Sequence, residues 1–140
     1  MPTFTPPTLL RDRPRHHQVL VAGIAPAAIG AIAGLLVGAS AAAYIAWSIL
    51  AAVGGFLGGL EHRDGWGGAD RGFFGGLLYG IALLVVHALT GAHAKVSLGS
   101  FPPLLAVLTT IIGTFLGAAG GRIGRGLRGD PPRYEPMFRR

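Results

Sequence analysis

Long uncharged stretches dominate the pattern of this chain. Residues 19–60 contain no Asp, Glu, Lys, Arg or His. A continuous helix of that length would measure roughly 63 Å, about twice the thickness of the hydrocarbon core of a bilayer. The chain must therefore reverse direction, and the least apolar point is Gly-Ala-Ser at 38–40. The pattern predicts two membrane-spanning helices, at about 19–37 and 41–60, joined by a tight turn.

A similar pattern follows in the second half of the chain. A polar segment, 61–71, precedes a third apolar stretch at about 72–89. After a second loop comes Pro102-Pro103, which suits the first turn of a helix because the missing N–H is not needed there. This predicts a fourth span at about 103–121. The predicted fold class is an all-α membrane protein whose four transmembrane helices form two hairpins. The predicted organisation is a Pro/Arg-rich tail, a transmembrane domain and a basic, proline-broken tail, at 1–18, 19–121 and 122–140.

Composition agrees with a membrane location. The chain is 51% hydrophobic and 13% charged, whereas soluble domains carry about 25% charged residues. The 24 glycines are a second unusual feature, and there is no cysteine. Thiol catalysis, thiolate metal sites and disulfides are therefore excluded.

The distribution of positive charge predicts the orientation. The single lysine, Lys95, lies in the second loop, between the third and fourth spans. Cytoplasmic segments carry the excess of Lys and Arg, so we expect both termini in the cytoplasm and the two hairpin turns outside. The same charges favour anionic lipid as a partner over nucleic acid, which we do not expect to bind. The other eleven of the twelve basic residues lie in the tails and the 61–71 loop: Arg11, Arg13, Arg15, Arg63, Arg71, Arg122, Arg125, Arg128, Arg133, Arg139 and Arg140.

A cleaved secretion leader is an alternative interpretation of the N-terminal stretch. The arginines, the apolar run and Ala-Ser-Ala at 39–41 resemble a leader and its cleavage site. The apolar run spans about 20 residues, however, longer than the usual 7–15 of a leader. We therefore expect this stretch to be retained as the first span.

Small residues recur four positions apart in every span. Residues at i and i+4 share one face of a helix, so a row of glycines leaves a groove in which another backbone can lie. Burying apolar side chains gains little in lipid, and close packing must hold the helices together instead. The spacing predicts a glycine zipper, either within one chain or between subunits. The glycines expected to pack helices are Gly30, Gly34, Gly54, Gly58, Gly72, Gly76, Gly80, Gly113 and Gly117.

The middle of the chain carries a resemblance to a known group. It rests on Gly-rich sequence at 56–59, on Gly65-Trp66 and on the spaced glycines of 76–80. This segment resembles uncharacterised four-span bacterial membrane proteins that have a Gly-Trp cytoplasmic loop. The two aspartates of the loop depart from the Lys-rich pattern of that group. The resemblance implies a four-span fold in the bacterial cytoplasmic membrane and no particular activity.

Two places hold ionisable groups with candidate chemistry. His87 is the ionisable side chain within a span besides the tyrosines, and intramembrane ionisable groups are candidates for function. The alternative is a neutral imidazole hydrogen-bonded to a neighbouring helix. At the inner mouth of spans two and three, carboxylates and a histidine could do acid–base work or hold a cation. We expect them instead to cap helices and to pair with Arg63 and Arg71. This polar cluster comprises Glu61, His62, Asp64 and Asp70.

The sequence therefore favours a non-catalytic protein. It offers abundant packing surface and no convincing metal, cofactor or acid–base constellation, so we predict no enzyme activity and no cofactor. The favoured hypothesis is a structural or accessory subunit that packs within a homo-oligomer or a larger membrane complex. The alternative is a small oligomeric channel or transporter with a pathway near His87 and the 61–71 loop.

Overall fold

The computed structural model describes residues 9–129, which form helices with no β-strand among them. Four stretches are long and apolar enough to cross a membrane. The predicted all-α membrane fold is confirmed: this is a multi-pass membrane protein. Residues 1–8 and 130–140, which belong to the predicted tails, lie outside the described residues. In chain order the elements are a 3₁₀ turn Leu10–Asp12, α1 Arg15–Val19, a π turn Leu20–Ile24, α2 Ala25–Ala39, α3 Ala41–Leu60, α4 Gly65–Thr90 and α5 Pro103–Arg128.

The two long C-terminal helices extend beyond the apolar stretches from which they were predicted. Helix α4 begins at Gly65 rather than near residue 72, because the Asp64 carboxylate accepts a hydrogen bond from the Gly67 N–H at 2.8 Å and caps the helix. Helix α5 continues to Arg128 rather than ending near residue 121. It ends where Gly129 adopts a left-handed φ of 70°, which glycine accepts without strain. The loop predicted at 61–71 is therefore only four residues long.

The first span contains an irregular turn. Helix α1 starts directly after Pro14 and runs without interruption into the π turn and α2. Within that turn the Ala25 N–H bonds to the Leu20 carbonyl, five residues back. Pro26 follows as the second residue of α2. The irregularity thus lies in the turn before the proline, a usual place for a helix to deviate.

The four spans pack as two hairpins laid against each other. Ser40 alone separates α2 from α3, and its side chain accepts a hydrogen bond from the Ala43 N–H at 3.3 Å. Helix α2 packs against α4, α3 packs against α5, and the most extensive interface joins α4 to α5. We call the end of the bundle with the 61–64 loop the basic end, and the opposite end the Ser40 end.

Small residues fill much of the interior of the bundle and large hydrophobic side chains cover its surface, which is the opposite of the arrangement in a soluble protein. Ala33, Val37 and Leu83 form a small buried core near the Ser40 end, and most other buried positions of the spans are glycines. Large hydrophobic side chains point outward on every span, such as Leu50 and Phe115, which are 63% and 72% exposed. An aqueous protein would not expose such a surface. Lipid is the solvent that it suits.

Candidate functional site

Among the glycines of residues 9–129, those of α4 and α5 lie closest to a neighbouring backbone. A Cβ added at Gly72 would clash with the Gly113 carbonyl, and one added at Gly113 would clash with the Gly72 carbonyl. Gly68 and Gly117 form a second reciprocal pair of the same kind. Each pair is four residues from the next on its helix, so the two helices touch over successive turns. At this interface only glycine leaves room for the neighbouring backbone.

The glycine contact continues along both helices toward the Ser40 end. A Cβ at Gly76 would lie 2.9 Å from the Thr110 Cα, and one at Gly80 would lie 2.7 Å from the Ala106 Cα. The Thr109 hydroxyl donates a hydrogen bond to the Gly76 carbonyl at 3.0 Å. Such bonds between membrane helices stabilise by about 0.6 kcal/mol each.

The predicted glycines of the first span lie against α4. A Cβ at Gly30 would clash with the backbone of Tyr79. One at Gly34 would lie 2.5 Å from the Leu83 carbonyl oxygen and 3.1 Å from the backbone nitrogen of His87. The first hairpin therefore attaches to the second through this row.

The predicted glycines of the second span are different. A Cβ added at Gly54 or Gly58 would meet nothing within 4 Å, and the same holds for Gly55. Of the residues of α3, all of which are described, Gly59 alone is buried. Within residues 9–129, Gly54 and Gly58 therefore pack against no other helix.

Further glycines of α3 and α5 also contact a neighbouring backbone. A Cβ at Gly59 would clash with Gly117, and one at Gly120 would lie 3.0 Å from the Gly59 Cα. Gly124 contacts Leu60 in the same way. The spacing of glycines at 113, 117, 120, 121 and 124 could have indicated this face, but the fourth span was predicted to end before it was complete.

The side chains of the predicted polar cluster at the basic end make separate contacts with different parts of the chain. Asp64 caps α4, and the His62 Nδ1 lies 3.0 Å from the Gly58 carbonyl oxygen. Glu61 accepts a 2.8 Å hydrogen bond from Arg13, and within residues 9–129 it forms no ion pair with Arg63 or Arg71, its expected partners. Asp70 is exposed. The four side chains do not converge on a common point.

The N-terminal segment and the end of α5 both bind the 61–64 loop. The Leu10 N–H donates to the Glu61 carbonyl at 3.1 Å, and the Leu10 side chain is buried. From the other side, Arg128 donates to the carbonyl of Leu60 at 2.8 Å and to that of His62. These contacts join the first, second and fourth spans at the basic end. None of them was predicted, since they link residues far apart in sequence.

His87 lies at the opposite end of α4 from the polar cluster. The 23 residues that separate it from Asp64 correspond to roughly 34 Å of helix, so His87 and the cluster cannot form one site. Its Nδ1 atom is buried and has no hydrogen-bond partner among residues 9–129. The predicted hydrogen bond from its imidazole to a neighbouring helix is therefore not made by this atom.

Arg71 is a half-buried charged side chain of α4 near the basic end. One of its terminal nitrogens, Nη2, donates a 2.5 Å hydrogen bond to the Val21 carbonyl in the π turn. Its Nε atom is buried without a hydrogen-bond partner in the described chain. A groove of about 610 Å³ runs beside it, between the first span and α4.

Polar side chains also link the spans nearer the Ser40 end. The Trp47 indole N–H donates to the Ile29 carbonyl at 2.9 Å, and the hydroxyls of Ser48 and Tyr79 lie 3.3 Å apart. These bonds connect α3 to α2 and to α4. They satisfy groups that would be costly to leave unpaired in lipid.

Taken together, the geometry defines a class of protein rather than an activity: a four-span membrane protein whose helices meet through glycine backbones. Within residues 9–129 no group of three or more His, Cys, Asp or Glu side chains is placed to hold a metal ion. Comparison with protein-family models, curated proteins and solved structures finds no match.

Proposed function

We propose that the protein is a non-catalytic structural or accessory subunit, which associates with a second copy or a larger membrane complex through the open glycine face of α3. We define this face by Ala51, Gly54, Gly55 and Gly58. The observation that carries the proposal is the contrast between this row and the others. The glycines of the rows in α2, α4 and α5, such as Gly30 and Gly72, each lie against a neighbouring backbone. Gly54 and Gly58 have open space beside them.

Energetic reasoning supports an external partner for this face. Glycine in a helix costs about 1 kcal/mol relative to alanine in water. Among the described residues, the other glycine rows gain close packing in return, but the open face gains none. Contact with another helix would supply the packing that rows of small residues favour in membranes.

Cysteine crosslinking in native membranes tests the proposal directly, because the chain has no cysteine. Leu57 flanks the open face, and Ile112 of α5 is a control of matched exposure, at 51% and 53%. We expect oxidation of Leu57→Cys to give a crosslinked dimer or an adduct with another membrane protein, and Ile112→Cys to give neither. Native mass spectrometry in mild detergent should show masses above that of the monomer. Purely monomeric chain with no crosslink at position 57 would refute the subunit role.

A pair of leucine variants tests whether the open face itself forms the contact between subunits or only lies near it. Gly54→Leu/Gly58→Leu should reduce the higher masses, since the leucines would occupy the groove. Gly126→Leu is the matched control, because a Cβ at Gly126 also meets nothing within 4 Å. Equal loss in both variants would mean that the open face is not the contact.

The proposed location is the bacterial cytoplasmic membrane, with both termini in the cytoplasm. Support comes from the charge asymmetry of the chain: among residues 9–129, Lys95 is the one Lys or Arg on the Ser40 side. The contacts of Arg13 and Arg128 with the 61–64 loop bring the N-terminal segment and the end of α5 to the same end of the bundle.

A channel or transporter is the second candidate function, and the packing directs where its pathway would lie. Between α2 and α4, and between α4 and α5, backbones touch at Gly30 and Gly72. These contacts leave no room for an ion pathway between those helices. A conducting protein of this fold would therefore form its pathway between copies, which also requires oligomerisation.

A further inference from the structure

A lateral groove opens at the basic end between the first span and α4. Its apolar walls include Val19, Ala22, Phe74 and Leu78. Val19 and Phe74 are 59% and 60% exposed, so the groove faces the surroundings of the bundle rather than its interior. His62 and Asp70 also contribute to its lining. No residue of α3 lines it, so a ligand bound in this groove would not depend on the proposed subunit role.

The guanidinium of Arg71 beside this groove carries a positive charge, on which the Glu61 carboxylate acts only from beyond ion-pair distance. Arg71 lies about 9 Å along α4 from its first residue. Within residues 9–129 its side chain makes no salt bridge, and the nearby Glu61 carboxylate is engaged by Arg13. Adjacent residues on a helix do not face each other, so Asp70 is poorly placed to pair with it. Charges at such positions are costly unless they are paired.

Local backbone geometry holds the guanidinium beside the groove. The π turn pairs the Ala25 N–H with the Leu20 carbonyl. In that register the Val21 carbonyl would bond to residue 26, but Pro26 has no N–H to offer. Arg71 donates to this carbonyl instead, and its Nη1 lies over Gly75, where a Cβ would approach it to 2.7 Å.

We propose that this groove binds an anionic phospholipid, with its phosphate paired to Arg71 and its acyl chains lying along Val19, Phe74 and Leu78. The charge complementarity selects the headgroup, since a guanidinium matches a phosphate in geometry and sign. The apolar walls select a lipid over a soluble anion. Basic pockets between transmembrane helices are general binding places for anionic headgroups.

Native mass spectrometry of the full-length protein in detergent tests this with defined lipids. Wild-type protein should bind phosphatidylglycerol about fivefold more tightly than phosphatidylcholine. This is the affinity difference that one basic residue near a membrane surface provides for an anionic lipid. Arg71→Gln should abolish this preference. Arg63→Gln should leave it unchanged, because Arg63 carries the same charge in the exposed loop outside the groove.

A second pair of variants keeps Arg71 and blocks the groove. A Cβ at Gly23 meets nothing within 4 Å, and Gly23 lines the groove, so Gly23→Leu should place its side chain there. It should reduce phosphatidylglycerol binding, whereas Gly126→Leu on α5 should not. This pair decides the question if Arg71→Gln does not yield folded protein by circular dichroism.

Three results would overturn the proposal. The first is equal lipid retention by Arg71→Gln and Arg63→Gln. The second is equal retention by Gly23→Leu and Gly126→Leu. The third is displacement of phosphatidylglycerol by inorganic phosphate at equal concentration, which would identify an aqueous anion site rather than a lipid site.

Discussion

Replacing Gly72 with alanine adds one methyl group at the closest backbone contact between α4 and α5. The new Cβ would clash with the carbonyl group of Gly113 and lie 3.1 Å from the Thr114 Cα. No side-chain rotation relieves these contacts, since every atom involved is backbone. The helices must separate by about 1 Å, and a gap of that size forfeits a quarter to a half of each dispersion contact. Overpacking of this kind costs about 1–3 kcal/mol.

In micelles where the protein is monomeric and the open face has no partner, Gly55→Ala is the matched control, because it makes the same chemical change in α3 where a Cβ meets nothing within 4 Å. In that helix alanine should be neutral or stabilising by up to about 1 kcal/mol, from helix propensity alone. The predicted difference between the two variants is therefore about 1–4 kcal/mol. Gly113→Ala should destabilise the Gly72→Ala variant by less than it destabilises wild type, because the two helices are already separated in that variant.

Reversible unfolding in mixed micelles with increasing sodium dodecyl sulfate, followed by circular dichroism, gives the free energies of unfolding. The measurement compares wild type, Gly72→Ala and Gly55→Ala under the same conditions. If Gly72→Ala is as stable as Gly55→Ala, then backbone contact at this interface does not stabilise the fold. The glycine rows would then have no role in holding the helices together.

Three further outcomes are expected. Asp64→Ala should lower the free energy of unfolding by about 1 kcal/mol through loss of the α4 cap, while the exposed Asp70→Ala changes it by less than about 0.5 kcal/mol; chemical denaturation of both measures the difference. Trp47→Phe should cost about 0.6 kcal/mol by removing the bond to the Ile29 carbonyl, and a sulfate-detergent titration checks it. In a liposome flux assay the protein should conduct no more than protein-free vesicles; a flux that His87→Ala abolishes would instead establish the channel function.

The spans could be predicted because their signal is local in the sequence. Uncharged stretches of sufficient length define where helices cross lipid, and the absence of charge over 19–60 is visible without tertiary information. The reversal within that stretch followed from length alone, and the structure places it at Ser40. The ends were less accurate, since α4 and α5 continue into segments whose glycines and arginines had indicated loops.

The roles of individual glycines could not be predicted, because they depend on how each helix is rotated. Gly30/Gly34 and Gly54/Gly58 have the same spacing, yet one row lies against α4 and the other is open. The partner of Glu61 could not be predicted from the sequence either. Arg13 is 48 residues away in sequence, and the loop arginines were the nearer expectation.

The unequal use of glycine follows from the way α3 is held in the bundle. At the Ser40 end it is tied to α2 by a one-residue turn and by the bond from Trp47 to Ile29. At the basic end it is fixed to α5 where Gly59 meets Gly117 and Gly120. Two fixed ends position the helix, so its middle needs no internal contact to stay in place. The partner helix that we propose for the open face would therefore break none of these contacts, as a subunit interface requires.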